Sequence, residues 1–437
     1  MRNILKINKI IKPFNKKISV EGDKSLSIRW VLFASLSKKK SISYNLLKSE
    51  DVYSAIKCVK KLGSKVKFTK KNCEITGIGL NSKLKKKLIL DAGNSGTLGR
   101  LILGLLINFE NEITLVGDKS LSKRDFSRII VPLRKFGASF KSKNNKLPLV
   151  MKGLKSPSSI RYIENKGSAQ CKTSIIFAAL KTKGETIIKA KKSRDHTELL
   201  LKYLKVPIKI KKKKNYDLIK IKKIKKIDQL NYSIPGDISS CAFFIVLTIL
   251  SKNSKLLIRN INVNPTRIGL ITILNKMGAS IKLLNKRIYK GEKIADIFVK
   301  SSKNLKSINC PIELNSSAID EFLVIFLVAA KSKGISFFRN LSELNQKESP
   351  RLKWGSKILN YIGIRNITTS NSIKIYGNPH IKINKIIKIK GYLKDHRVFM
   401  TSVIAAMTFG GKWEISDLDS IKTSFPSFLK TLNSIKL

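Results

Sequence analysis

The sequence predicts a mixed α/β protein of two similar domains, each built from three like modules. Three observations carry this. A polar loop running into an apolar helix recurs six times. A second helix ending at Gly recurs between these units. The chain of 437 residues, 42% hydrophobic, is long enough for two substantial cores. The six loop-helix units are GDKSLSIRWVLFASL (Gly22 to Leu36), GNSGTLGRLILGLL (Gly93 to Leu106), GSAQCKTSIIFAAL (Gly167 to Leu180), GDISSCAFFIVLTIL (Gly236 to Leu250), NSSAIDEFLVIFLVAA (Asn315 to Ala330) and KDHRVFMTSVIAAM (Lys394 to Met407). Their starts lie about 70 to 80 residues apart, longer than common solenoid repeats.

The elements follow in order. MRNILKINKIIKPFNKK is basic and free of acids, as some transit peptides are, but the first unit begins at Gly22, so the stretch reads as the first strand of the mature protein. Each loop supplies helix-starting residues and each apolar run a buried helix. The second helices stop at KLGSKV (Gly63), KFGASF (Gly137), KMGASI (Gly278) and YIGIRN (Gly363), where Gly takes the left-handed turn that ends a helix. The run from Ile208 to Ile227 alternates apolar residues with Lys around Asn215 and Tyr216, the pattern of a half-exposed hairpin. No apolar run reaches the roughly 18 to 20 residues that span a bilayer.

Composition narrows the function. Cys58, Cys73, Cys171, Cys241 and Cys310 are scattered and never form CxxC; with only His196, His380 and His396 beside them, no structural zinc is expected, and the pattern suits a reducing cytoplasm. The formal charge of +60 is the one argument for nucleic acid. Its lysines, however, are spread along the chain together with abundant Ile and Asn, three residues that A/T-only codons encode. No helix-turn-helix, zinc finger or RNA-recognition aromatic pattern accompanies them, so a solvated basic face is expected and no specific nucleic-acid partner.

The loops carry the chemistry. Helices that start on one side of their sheets converge their free N–H groups and positive dipole ends on shared space, which favours anions. The side chains there agree: Lys24, Ser25 and Arg29, then Asn94 and Arg100, then Ser168, Gln170 and Lys172, then Arg397, with Lys123, Arg124, Arg194, Lys347 and Arg351 in neighbouring loops. Arginine forks suit carboxylate and phosphate alike. Acids are rare. Asp320 and Glu321 open an apolar helix and Glu348 lies between Lys347 and Arg351; a carboxylate in a cationic site is a natural general base. Neither a Walker A loop, a GxGxxG nor a Ser-His-Asp order stands out.

Eight segments in order give the chain a family likeness: GDKSLSIR (Gly22 to Arg29), LDAGNSGTLGRLILGLL (Leu90 to Leu106), GDKSLSKRDFSRIIVPLRKFGA (Gly117 to Ala138), GSAQCKTS (Gly167 to Ser174), SRDHTE (Ser193 to Glu198), PGDISSCAFF (Pro235 to Phe244), ELNQKESPR (Glu343 to Arg351) and DHRVFM (Asp395 to Met400). Over essentially its whole length it resembles the bacterial branch of the 3-phosphoshikimate 1-carboxyvinyltransferase, or 5-enolpyruvylshikimate-3-phosphate synthase, family. The resemblance implies the two-domain enolpyruvyltransferase fold (α-β prism) of six βαβαββ repeats, three per domain, with the active site in the interdomain cleft. The expected domains are residues 21–234 and residues 1–20 plus 235–437. The implied reaction moves the enolpyruvyl group of phosphoenolpyruvate to the 5-hydroxyl of shikimate 3-phosphate and releases phosphate. Neither metal nor organic cofactor is implied, and a cytoplasmic monomer is expected, with no membrane partner.

Carried over by position, Lys24 resembles a lysine that touches both substrates and acts in catalysis, and Ser25, Arg29, Ser168, Gln170, Arg194 and Lys347 resemble shikimate 3-phosphate ligands. Gly96, Arg124, Gln170, Arg351 and Arg397 match the phosphoenolpyruvate site. Asp320 matches the acceptor of the 5-hydroxyl proton, and Glu348 the residue that handles the methylene proton. Glyphosate would occupy the phosphoenolpyruvate site, where Gly96 leaves room, so sensitivity is expected. Four positions depart from the family pattern: Glu21 stands where Pro is common, Ile28 where His is common, Asn345 where Arg is usual and Pro350 where Asp is usual. Asn345 removes a charge near Lys347. Ser349 is expected to cap a helix whose first position is Pro350. The alternatives are a UDP-N-acetylglucosamine enolpyruvyltransferase, which should carry Lys-Asn where Lys24-Ser25 stands and a loop Cys after Gly117, and a degenerate basic protein that binds anions or nucleic acid.

Overall fold

A computed structural model describes residues 4–80 and 87–436. The chain divides into two compact units. The N-unit comprises Gly22–Ile234 with Lys290–Glu292, and the C-unit Met1–Glu21, Pro235–Tyr289 and Lys293–Leu437. Two details depart from the expected boundaries. Glu21 belongs to the C-unit, where its carbonyl accepts from Asp237 N at 3.2 Å and its carboxylate from Ser427 N at 3.3 Å. Residues 290–292 belong to the N-unit, because Glu292 Oε1 lies 2.6 Å from His196 Nδ1, both side chains wholly buried, and Lys290 Nζ donates to Asn231 O.

The six apolar runs are helices: α1 (Lys24–Ser35), α2 (Gly96–Leu105), α3 (Ala169–Ala179), α4 (Ile238–Leu250), α5 (Phe322–Ala330) and α6 (His396–Phe409). The polar loops start them by capping. Asp23, Ser95, Ser168, Asp237 and Asp395 each accept from a backbone N–H of the first turn, at 2.8, 3.3, 3.2, 2.8 and 2.9 Å. The fifth unit differs: its continuous pattern breaks into a short helix, Asn315–Ala318, and α5, leaving Asp320 in the turn between them. Every residue of α5 is buried, so no solvent face was there to show a helical period.

Among the described residues, six sheets of three or four strands accompany these helices. In the N-unit each sheet has a leading strand parallel to its neighbour and two further strands antiparallel, as in Lys87–Asp91, Glu112–Val116, Leu149–Lys152 and Ser139–Ser142. An exchange explains the two main chain crossings. The strand before α1, Asn15–Ile18, pairs with Lys255–Asn262 of the C-unit, whereas Tyr232–Ser233, before α4, pairs with Lys40–Tyr44 of the N-unit. The N-terminal stretch forms two strands and not the single one expected: Leu5–Ile7 joins Gly410–Ile415, and Pro13 separates it from Asn15–Ile18. The Lys-rich hairpin is present as Ile208–Lys212 and Tyr216–Lys222.

Two glycine roles bear on packing. Gly63 and Gly137 both hold φ +104°, the left-handed stop read in the sequence. Gly104 lets α2 touch α3, since a Cβ there would lie 2.0 Å from the Ser174 carbonyl oxygen.

Candidate active site

In the N-unit the starts of α1, α2 and α3 are tied together by their own polar side chains. Arg29, 2% exposed, donates from Nε to Thr197 Oγ1 at 2.9 Å, from NH2 to Thr173 Oγ1 at 3.3 Å and from NH1 to the Ser25 carbonyl at 3.1 Å. Arg100 NH1 donates to Gln170 Oε1 at 2.7 Å, and Gln170 Nε2 donates to Thr97 Oγ1 at 3.0 Å. Arg124 NH2 donates to Asn94 Oδ1 at 3.1 Å. Gly96 sits between these arginines: a Cβ on it would be 3.0 Å from NH1 of both Arg100 and Arg124. Lys24 Nζ pairs with Asp51 Oδ2 at 3.1 Å, and the buried Lys172 with Glu198 Oε1 at 2.6 Å. Ser168 is the α3 cap, and Arg194 is half-buried just before the helix His196–Tyr203, whose first turn supplies Thr197 and Glu198.

The C-unit brings five predicted residues into one cluster. Arg351 is 2% exposed and faces three carboxylates: Asp395 through Nε at 2.9 Å and NH2 at 3.2 Å, Asp320 through NH1 at 3.5 Å, and Glu348 through NH2. Lys347 Nζ lies 3.5 Å from Asp320 Oδ1. Arg397 NH1 donates to the Asp320 carbonyl at 2.7 Å and lies 3.7 Å from Glu321 Oε1. Burial alone would push the Asp395 carboxyl up, but the charge and hydrogen bond of Arg351, together with His396, hold it below the usual carboxylate range. Burial likewise opposes the Arg351 charge, and Asp395 and Glu348 overcome it, so Arg351 stays charged.

One expectation is corrected. Ser349 does not cap the following helix; its hydroxyl donates to Asp395 Oδ2 at 2.9 Å, and the helix runs Arg351–Tyr361 with Pro350 at the cap position. Ser349 stands one residue before the cap position, and its hydroxyl proton goes to the buried Asp395 carboxylate, a charge-assisted bond that orients the side chain. Asn345 Nδ2 donates to the Ser370 carbonyl at 3.1 Å, and Ile28 is fully buried in α1.

Sequence reasoning missed Asp51, Thr197, Glu198 and Asp395 as partners of the cations. Asp51 looks like any acid in a first helical turn, and Asp395 is a helix cap as well as an ion-pair partner. In chemical terms the N-unit set offers several fixed guanidinium and ammonium donors, and the C-unit set adds carboxylates able to move protons beside its own cations.

The enolpyruvyl transferase NikO from Streptomyces tendae shares the fold, with a TM-score of 0.77 over 100% of this chain and 98% of that one at 11% identity. The EPSP synthase of Acinetobacter baumannii, solved at 2.37 Å, is nearer, with a TM-score of 0.86, 32% identity and 99% and 98% of the two chains covered. The 3-phosphoshikimate 1-carboxyvinyltransferase of Ruthia magnifica is 39% identical over 430 residues, 98% of this chain and 97% of that one, and its counterpart from Endomicrobium trichonymphae is 38% identical over 96% of each. The family model described as EPSP synthase (3-phosphoshikimate 1-carboxyvinyltransferase) matches residues 8–432, and the chain belongs to that family.

Proposed function

We propose that the chain carries out the reaction its family is named for, transferring the enolpyruvyl group of phosphoenolpyruvate to the 5-hydroxyl of shikimate 3-phosphate. The observation that carries the assignment of roles is Asp320, a carboxylate held in a turn between Lys347 and Arg351 with Glu348 on the same guanidinium.

The roles divide as follows. Arg124, Arg351 and Arg397, with Lys24 and Gln170, hold the carboxylate and phosphate of phosphoenolpyruvate, and Gly96 leaves the space beside Arg124. Ser25, Arg29, Ser168, Gln170, Arg194, Lys24 and Lys347 hold shikimate 3-phosphate. Glu348 delivers a proton to the methylene carbon, which makes the adjacent carbon electrophilic. The 5-hydroxyl oxygen bonds to that carbon and its proton passes to Asp320. Return of a proton from the new methyl group to Glu348, with departure of phosphate, restores the double bond and the acid. Clustered cations stabilise the anionic groups through both steps. The same reading expects a cytoplasmic monomer, and the five buried free thiols agree with a reducing compartment.

The test is phosphate release by purified protein in the presence of both substrates, wild type against Asp320→Ala. Loss of a general base is expected to lower the rate by about 10²- to 10⁴-fold. Equal rates would remove Asp320 from this role.

A further inference from the structure

The loop Pro235–Ser240 opens α4 yet holds none of the residues assigned to substrate. Beside it stand two buried charges that the reaction does not use, Arg267 and Glu321, each 2% exposed. Charges at that depth need partners, and here the partners form a line. Arg267 NH2 donates to Asp237 Oδ1 at 3.1 Å and to Ser239 Oγ at 2.9 Å. Ser239 Oγ donates in turn to Glu321 Oε1. The same carboxylate oxygen lies 3.7 Å from Arg397 NH1, and that nitrogen donates to the Asp320 carbonyl at 2.7 Å.

The directions of these bonds are fixed. The Ser239 backbone N–H is taken by Asp237 Oδ1 at 2.8 Å, and its hydroxyl oxygen accepts from Arg267, so its hydroxyl proton points to Glu321. Charges alternate along the line: Asp237, Arg267, Glu321, Arg397. Glu321 stands at the start of α5, where the dipole favours an acid, but its side chain makes no capping hydrogen bond; it is turned to Ser239 and Arg397 instead.

We propose that Glu321, held by Ser239 and Arg267, is a positioning residue that orders the Arg397 guanidinium before substrate arrives. The proposal rests on the reading in which Arg397 holds phosphoenolpyruvate and Asp320 is the base. An arginine is long and flexible, and a guanidinium fixed at one nitrogen by a carbonyl and a carboxylate enters the reaction already aimed.

The experiment compares steady-state kinetics of wild type, Glu321→Gln, Glu321→Ala and Ser239→Ala, with each substrate varied in turn and thermal melting as a check. Glu321→Gln, which keeps the acceptor for Ser239 and loses the charge, is expected to raise KM for phosphoenolpyruvate about tenfold and to leave KM for shikimate 3-phosphate within about twofold. Ser239→Ala should move the same constant by a smaller factor. On an Arg397→Lys background the Glu321→Gln effect should largely vanish, because the two act as one unit. A purely structural role would lower kcat with the active fraction and leave both KM values alone, and that result overturns the proposal. If Glu321→Ala does not fold, the Glu321→Gln and Ser239→Ala constants decide. An inactive wild type would overturn the underlying reading and the proposal with it, whereas an active wild type with unchanged constants in the variants overturns the proposal alone.

Discussion

Arg351 and Asp395 meet through two nitrogen-oxygen contacts, 2.9 and 3.2 Å, with neither side chain more than 2% exposed. Asp395 also caps α6 and accepts from Ser349, so one carboxylate fixes the guanidinium, the helix start and the loop that carries Lys347 and Glu348. Removing it leaves Arg351 charged and buried without its main partner. Asp395→Ala should therefore cost about 3 to 5 kcal/mol in denaturant unfolding. Asp395→Ala combined with Arg351→Leu should recover part of that loss while remaining inactive. A double variant less stable than Asp395→Ala would show that the pair is not what stabilises this loop.

Gly96 gives a second prediction. Gly96→Ala places a methyl carbon 3.0 Å from the guanidinium ends of Arg100 and Arg124, closer than such contacts sit comfortably, so one or both must shift. A displaced donor should raise KM for phosphoenolpyruvate and the glyphosate inhibition constant together, each about tenfold or more, with KM for shikimate 3-phosphate much less affected. The wild type should be inhibited by submillimolar glyphosate in competition with phosphoenolpyruvate. Inhibition unchanged by the added methyl would place glyphosate elsewhere.

Lys181 is buried, and its ammonium donates to Leu105 O at 2.5 Å and to Asn108 Oδ1 at 2.8 Å. Burial pushes its pKa down to about 7. Between about pH 7 and the ordinary lysine value near 10.5 the unfolded chain then binds more protons than the folded one, so this group makes stability rise with pH in that window. The slope is at most about 1.4 kcal/mol per pH unit. Subtracting the pH profile of Lys181→Met from that of wild type should isolate it. A flat difference curve would mean that the two carbonyl acceptors keep the amine fully protonated.

All five cysteines are buried and free, and burial pushes the thiols of Cys58, Cys73, Cys171 and Cys310 up to about 12. Thiolate is the reactive form. Thiol titration of the native protein at pH 8 should show almost no fast reaction, and five equivalents after denaturation. Rapid labelling of the native protein would contradict the burial described.

The fold was legible because its punctuation is local. Asp23, Ser95, Ser168 and Asp237 stand next to the runs they cap, and Gly63, Gly137, Gly278 and Gly363 all take positive φ where their helices end. Several of the cations proposed for the site, Lys24, Arg100 and Arg397 among them, lie in the first turns of the apolar helices and were legible for the same reason. Their partners were not. Arg351 and Asp395 are 44 positions apart, Lys24 and Asp51 are 27 apart, and only the packing of separate helices brings them together. Ser349 misled because a serine before a helix reads as a cap, whereas its hydroxyl donates to a buried carboxylate 46 positions along the chain. Asp320 reads as standing just before the apolar helix, where it lies; the short helix Asn315–Ala318 ahead of it was not legible, because NSSA reads as polar loop.

Product analysis with the two acceptors decides which reaction the protein carries out. Purified protein given phosphoenolpyruvate with either shikimate 3-phosphate or UDP-N-acetylglucosamine should release phosphate only with the former. Phosphorus NMR of that mixture should show 5-enolpyruvylshikimate 3-phosphate forming in equal amount. Product from the sugar nucleotide, or none from either acceptor at low and moderate salt, would show that the protein is not a shikimate 3-phosphate transferase.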